Sequence, residues 1–193
     1  MKLRLLLLTL LMTATASSLR AESEFVVPEG FEAKVLEPTG GRVARPDGWF
    51  YRTAHNESSF QWVLSKEDPE RGPYQTGVRI QMIFGLQQKA GVSAKDFAHE
   101  FLAGKRAATK VLSECEEETE GLLVRSCLVV EEIIPSVSES DPFQVRYSVL
   151  WGAELDVAVF ITAGTPKIFW SENEPIFDQI ENLQLIDLER FAK

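Results

Sequence analysis

Hydrophobic and polar positions alternate with period two in several stretches of this chain. In residues 77–84 (GVRIQMIF), Val78, Ile80, Met82 and Phe84 fall on one side, and Arg79 and Gln81 on the other. That pattern predicts a strand with one buried face. Residues 143–152 (FQVRYSVLWG) set Phe143, Val145, Tyr147, Val149 and Trp151 against Gln144, Arg146 and Ser148, and residues 154–163 alternate Leu155, Val157, Val159 and Ile161. Only Gly152 and Ala153 separate these two runs, so a tight hairpin is expected. Trp49–Thr53 and Phe60–Leu64 flank AHNES as another hairpin, and KEDPERGPYQ (66–75) reads as a polar, turn-rich loop.

Two stretches switch to the helical period. In residues 92–110, Ser93 with Asp96 resembles a capping box, and Ala94, Phe97, Ala98 and Phe101 share one face. Lys105, Arg106 and Lys110 gather at the C-terminal end, where cations suit the helix dipole. The last helix is expected to open at SENEP (171–175). Ser171 and Glu174 form its capping box, Pro175 is tolerated in the first turn, and Ile176, Phe177, Ile180 and Leu183 make its buried stripe. LQLIDL closes the chain as a short strand or a helix extension. Strands, a helix, several hairpins and a helix predict an α+β domain, an antiparallel sheet flanked by helices, over residues 42–190. Residues 22–41, with Pro28, Gly30, Pro38, Gly40 and Gly41, read as a lead-in arm with room for one short strand.

The N-terminus changes the picture of where this domain works. Lys2 and Arg4 precede an apolar run from Leu5 to Met12, and small residues follow, with cleavage patterns ending at Ala16 and Ala21. Residues 1–21 are therefore a predicted secretory signal peptide. The apolar run is too short for a membrane-spanning helix, which needs about 20 residues. The chain is expected to be exported to a periplasmic or extracellular space, with no membrane insertion after cleavage. The formal charge is −9, and loss of Lys2, Arg4 and Arg20 with the signal takes away three positives, to −12. So acidic a surface repels phosphate backbones and anionic lipid heads, which excludes nucleic acid as an expected partner.

Export also bears on the two cysteines, Cys115 and Cys127, in VLSECEEETEGLLVRSCLVV. A hairpin centred on Gly121 sets residue 115 opposite residue 127. Opposed β-carbons lie about 4.5–5.5 Å apart, and the closer non-hydrogen-bonded pairs suit a disulfide. An oxidising compartment favours the bond. The alternative is two free cysteines, one or both buried. The spacing is not the C-x-x-C of a redox-active pair.

Four segments together resemble PsbP-like domains of the PsbP/Mog superfamily, which includes bacterial domains of unknown function, and the chain reads as an exported bacterial member. They are Pro46-Asp47-Gly48-Trp49 before the first strand, SAKDFAHEFL (93–102) in the middle helix, FITAGTPKIFW (160–170), and EPIFDQIENLQL (174–185) in the last helix. The resemblance covers residues 42–187 and implies an α/β/α sandwich on an antiparallel sheet. It also implies a binding or assembly factor rather than an enzyme, since photosynthetic relatives dock on the lumenal side of photosystem II and others act as adaptors. It supplies no catalytic set. This chain departs from the plant proteins in its acidity and its cysteine pair.

The remaining chemistry is sparse. Neither His55 nor His99 belongs to a metal-binding or nucleophilic motif, and His99-Glu100 diverge on a helix. No G-x-S-x-G, phosphate loop or dinucleotide fingerprint occurs, so no catalytic residue, cofactor or metal is expected. Alternation sends Trp49 and Tyr51 to one face and Phe50 and Arg52 to the other. Phe50, Trp62 and Trp170 are candidate partner-facing aromatics, Trp170 above all because it precedes a helix cap. Glu116, Glu117 and Glu118 are a candidate acidic contact. The expected function is an exported, soluble, non-catalytic module acting on an unidentified envelope or secreted protein, itself a monomer. Two alternatives stay open. One is an inhibitor or immunity-type protein inserting the acidic hairpin into a basic cleft; the other is an exported hydrolase of unrecognised type.

Overall fold

The computed structural model describes residues 25–152 and 155–190; the predicted signal peptide lies outside them. Among the described residues, two antiparallel sheets and three α-helices make the fold. The larger sheet has seven strands: β3 (Phe50–Thr53), β4 (Ser59–Ser65), β5 (Gly77–Phe84), β6 (Lys110–Glu120), β7 (Leu123–Ile133), β8 (Pro142–Gly152) and β9 (Val157–Pro166). Their spatial order is β3-β4-β5-β9-β8-β7-β6, so β3 and β6 are the two edges. The smaller sheet orders β1 (Phe31–Leu36), β2 (Gly40–Pro46) and β10 (Gln184–Ile186) as β1-β2-β10. The helices are α1 (Leu86–Ala90), α2 (Ala94–Ala108) and α3 (Trp170–Glu181).

Strand alternation divides the core in two. Helix α2 covers β8 and β9 on one face of the large sheet. There Phe143, Val145, Tyr147, Val149 and Trp151 pack with Leu128, Val130, Phe160 and the helix residues Ala98 and Leu102. Helix α3 and the small sheet cover the other face, packing Trp62, Leu64, Ile80, Ile161, Phe177 and Ile180. The result is an α+β sandwich. Ser93 caps α2 as expected, its Oγ accepting from the Asp96 N–H.

Several expectations are corrected. Residues 31–46 form two paired strands, and β10 returns beside β2, so the arm with one short strand is in fact part of a second sheet. Gly41 makes that return possible: a β-carbon there would run into the Leu185 carbonyl. Helix α3 starts at Trp170 out of a 3-10 turn (Lys167–Phe169), with no side-chain cap. Ser171 therefore lies inside the helix, and the Ser171–Glu174 capping box does not form. Strand β9 begins at Val157, so Leu155 falls in the preceding connection and the hairpin is longer than a two-residue turn.

The cysteine pairing is right for a reason the sequence arithmetic missed. Cys115 and Cys127 form a disulfide across β6 and β7, with Cα atoms 4.9 Å apart. The turn, however, pairs Glu120 with Leu123, so Gly121 (φ +63°) and Leu122 share it. That register alone would set Cys115 against residue 128. A bulge between Cys115 and Glu118 shifts the ladder by one residue and restores the match.

Candidate functional site

Beyond the last turn of α2, the sheet face continues uncovered by helix. Three polar side chains meet there. Tyr147 belongs to the inward stripe of β8, Glu132 follows Leu128 and Val130 on the same face of β7, and Lys105 reaches over from α2 one turn after Phe101. The Lys105 Nζ lies 3.0 Å from Glu132 Oε2 and 4.2 Å from the centre of the Tyr147 ring. It also donates to the Tyr147 Oη, which in turn donates to Glu132 Oε1. Burial first, then the hydrogen bond to Glu132 and the Glu132 charge, push the Tyr147 phenol far above its ordinary pKa; Arg79 opposes weakly.

This triad separates two cavities. One, of about 840 Å³, runs between α2 and the end of β7, lined by Phe97, Phe101, Ile133 and Pro142. The other, of about 430 Å³, lies under the β7–β8 loop, lined by Tyr74, Arg79, Ile134, Val137 and Val145. Lys105, Glu132 and Ile133 face both. Here the ammonium is matched by a carboxylate, and the phenol is held protonated between them. This closed polar group lies between two largely apolar cavities.

The two histidines lie elsewhere. His99 Nε2 is 2.9 Å from Glu117 Oε1, and its ring stands edge-on to Trp151 at 5.1 Å. His55 accepts a hydrogen bond from the Gln61 N–H and packs edge-on against Phe60 and Trp62. Among the described residues no three His, Cys, Asp or Glu side chains are grouped to hold a metal.

The candidate residues named from sequence do not form one site. Phe50 is 41% exposed on edge strand β3, while Glu116, Glu117 and Glu118 are exposed on β6 at the opposite edge. Trp62 and Trp170 are corrected as surface residues, being 0% and 7% exposed. Trp62 lies on the same inward face of β4 as Leu64, and its indole N–H donates to the Glu37 carbonyl at 2.9 Å. Trp170 is the first helical residue of α3, so Trp170, Asn173 and Phe177 form one inward stripe. No local motif marks Glu132, Tyr147 and Arg79 as one site. The available signal was a phenol within an otherwise apolar stripe, since a buried Tyr hydroxyl seeks a partner.

A second ionic cluster sits on the α3 face. The Glu181 carboxylate receives Arg125 Nη2, Arg146 Nε and Ser148 Oγ, each at 2.7 Å. Arg146 Nη1 also reaches Asp178 at 2.7 Å. Burial pulls the Arg146 pKa down, but Glu181 and Asp178 outweigh it and leave it raised. This cluster fastens the end of α3 to β7 and β8.

With this geometry in hand, the solution structure of cyanobacterial PsbP (CyanoP) from Synechocystis sp. PCC 6803 superposes with a TM-score of 0.50 at 13% identity, covering 84% of this chain and 95% of that one. The fold is PsbP-like. The Ran-binding protein Mog1p of Saccharomyces cerevisiae matches with a TM-score of 0.47 at 12% identity, covering 82% of this chain and 97% of that one. A Pseudomonas aeruginosa protein of unknown function matches with a TM-score of 0.42 at 12% identity, over 79% and 94% of the two chains. No family model matches the sequence, and no curated protein matches it. Among the described residues, no helix of this PsbP-like fold is long and apolar enough to cross a membrane.

Proposed function

We propose that this chain is an exported binding or assembly module that engages a protein partner and carries out no catalysis. The observation that carries this reading is the cleft at the end of α2. It offers an apolar wall of Phe97, Phe101 and Ile133 beside groups whose charges and protons are already committed to one another. Apolar surface rimmed by satisfied polar groups suits recognition. The disulfide and the signal-like N-terminus support an oxidising, exported setting.

In-cell photocrosslinking tests the reading. A photoreactive residue at Ile133, in the cleft, is expected to capture one dominant envelope or secreted protein. The same residue at Val35, exposed on the small sheet, is expected to capture none. Equal capture at both positions, or none at Ile133, would refute the cleft as the partner surface.

A second reading, an inhibitor or immunity-type protein, draws on the acidic edge strand. Glu116 and Glu118 stand exposed on β6, beside the covalent staple, although Glu117 is tied back to His99.

A further inference from the structure

Arg52 and Arg79 share the α2 face of the sheet. Arg52 pairs with Val63 on β4, and Val63 pairs with Arg79 on β5, so the two arginines flank one apolar residue across two strand spacings of roughly 4.8 Å each. Both are exposed, and among the described residues neither makes an ion pair or a side-chain hydrogen bond. In so acidic a chain, two neighbouring uncompensated guanidinium groups are unusual. They converge on Tyr74, whose ring lies against Gly77: the charges of Arg79 and Arg52 both lower the phenol pKa, although burial raises it by more.

Arg79 and Tyr74 also line the 430 Å³ cavity. The rest of that wall is largely apolar, with Ile134, Pro135, Val137 and Val145 around the Tyr147 ring. Lys105 and Glu132 cancel within it, so the Arg79 charge is left over. The volume is within the range of small-ligand sites.

We infer that this cavity binds an amphiphilic carboxylate, with the apolar body beneath the β7–β8 loop and the carboxylate on Arg79, flanked by Arg52 and Tyr74. A planar carboxylate matches the donor fork of a guanidinium. The acid has two sources, a free organic acid or the C-terminus of a peptide ending in an apolar residue. The inference concerns the smaller cavity, whereas the partner reading above rests on the apolar wall of the larger one.

Calorimetric titration of the purified disulfide-bonded chain with octanoate, octanamide, N-acetyl-Leu-Leu and its C-terminal amide tests it. One acid is expected to bind at one site, with its amide at least about tenfold weaker. Arg79→Gln should weaken the acid by about tenfold, and Arg52→Gln by roughly threefold, with circular dichroism confirming that both variants fold. Tighter binding of octanoate assigns the free acid; tighter binding of the dipeptide assigns a peptide C-terminus. Equal binding of acid and amide, unchanged affinity in Arg79→Gln, or heat from neither acid would overturn the proposal. Ile133 borders this cavity too, so the two readings are separated by crosslinking in Arg79→Gln: capture from Ile133 that persists when acid binding is lost belongs to the larger cavity.

Discussion

The two faces of the large sheet each hold an ionic cluster built from a helix and the strands β7 and β8, and the clusters differ in how much water they see. On the α3 face, the Glu181 side chain is 3% exposed and is gripped by two arginines and a serine. On the α2 face, Lys105 and Glu132 are 27% and 14% exposed and border open space on both sides. The α3 cluster also borders a cavity, at Arg125, but its central acid is buried, whereas neither member of the Lys105–Glu132 pair is. The cost of breaking each cluster should follow that difference. Removing one partner of a buried pair strands a charge without solvent, whereas a partly exposed pair is relieved by water.

The largest expected effect is therefore at Glu181. Glu181→Ala should destabilise the fold by about 3–5 kcal/mol in urea unfolding, because Arg146 and Arg125 lose the carboxylate between them. Lys105→Met should cost only about 1 kcal/mol. If the two variants lose equal stability, the contrast between a buried central acid and a partly exposed pair is wrong. Tyr147→Phe falls between them. It removes the hydroxyl that links Lys105 to Glu132 and should cost about 1–2 kcal/mol at neutral pH.

Alkaline pH sharpens the comparison through a tyrosine on each face. Tyr51 belongs to the α3-side core and donates to the Val35 carbonyl at 3.1 Å; burial, then the Glu37 charge, push its pKa up to about 12. The Tyr147 pKa is raised further. An unfolded tyrosine ionises near pH 10, so the unfolded chain releases these protons first. Their contribution is whole below pH 10. For Tyr51 it is lost between about pH 10 and 12, and for Tyr147 the loss continues at higher pH. Urea midpoints at pH 9, 10 and 11 should fall progressively. Tyr51→Phe and Tyr147→Phe should each flatten that slope, and a parallel slope in both variants would contradict the assignment.

The smallest effect is expected at the acidic edge, which belongs to neither cluster. Changing Glu116, Glu117 and Glu118 together to Gln should alter stability by less than about 0.5 kcal/mol, as surface substitutions do. If the inhibitor reading holds, the same variant should weaken partner binding and remove its salt dependence. Unchanged affinity for a crosslinked partner would exclude the hairpin.

What the sequence made legible is what nearest neighbours decide. The alternation of Val78, Ile80 and Met82, the inward stripe from Phe143 to Trp151, and the Ser93 cap all follow from local periodicity or local hydrogen bonding. The small sheet stayed hidden because β2 finds β10 some 140 residues away, across a glycine that reads locally as a turn. Trp170 is buried where the local pattern predicts exposure, because a 3-10 turn delivers the chain into α3 one residue before the apparent cap. The two ionic clusters were invisible for a similar reason. Lys105, Glu132 and Tyr147 come from three elements, and nothing in their immediate sequence says that they meet.

The bulge in β6 has a topological consequence. By holding Cys115 against Cys127, it turns residues 115–127 into a covalent ring with the Gly121-Leu122 turn at its apex and Leu122 largely exposed. A protease that cuts the backbone inside that ring severs the chain in sequence but not in space. The halves, each bringing strands to the same sheet, stay joined through sulfur until a reductant arrives.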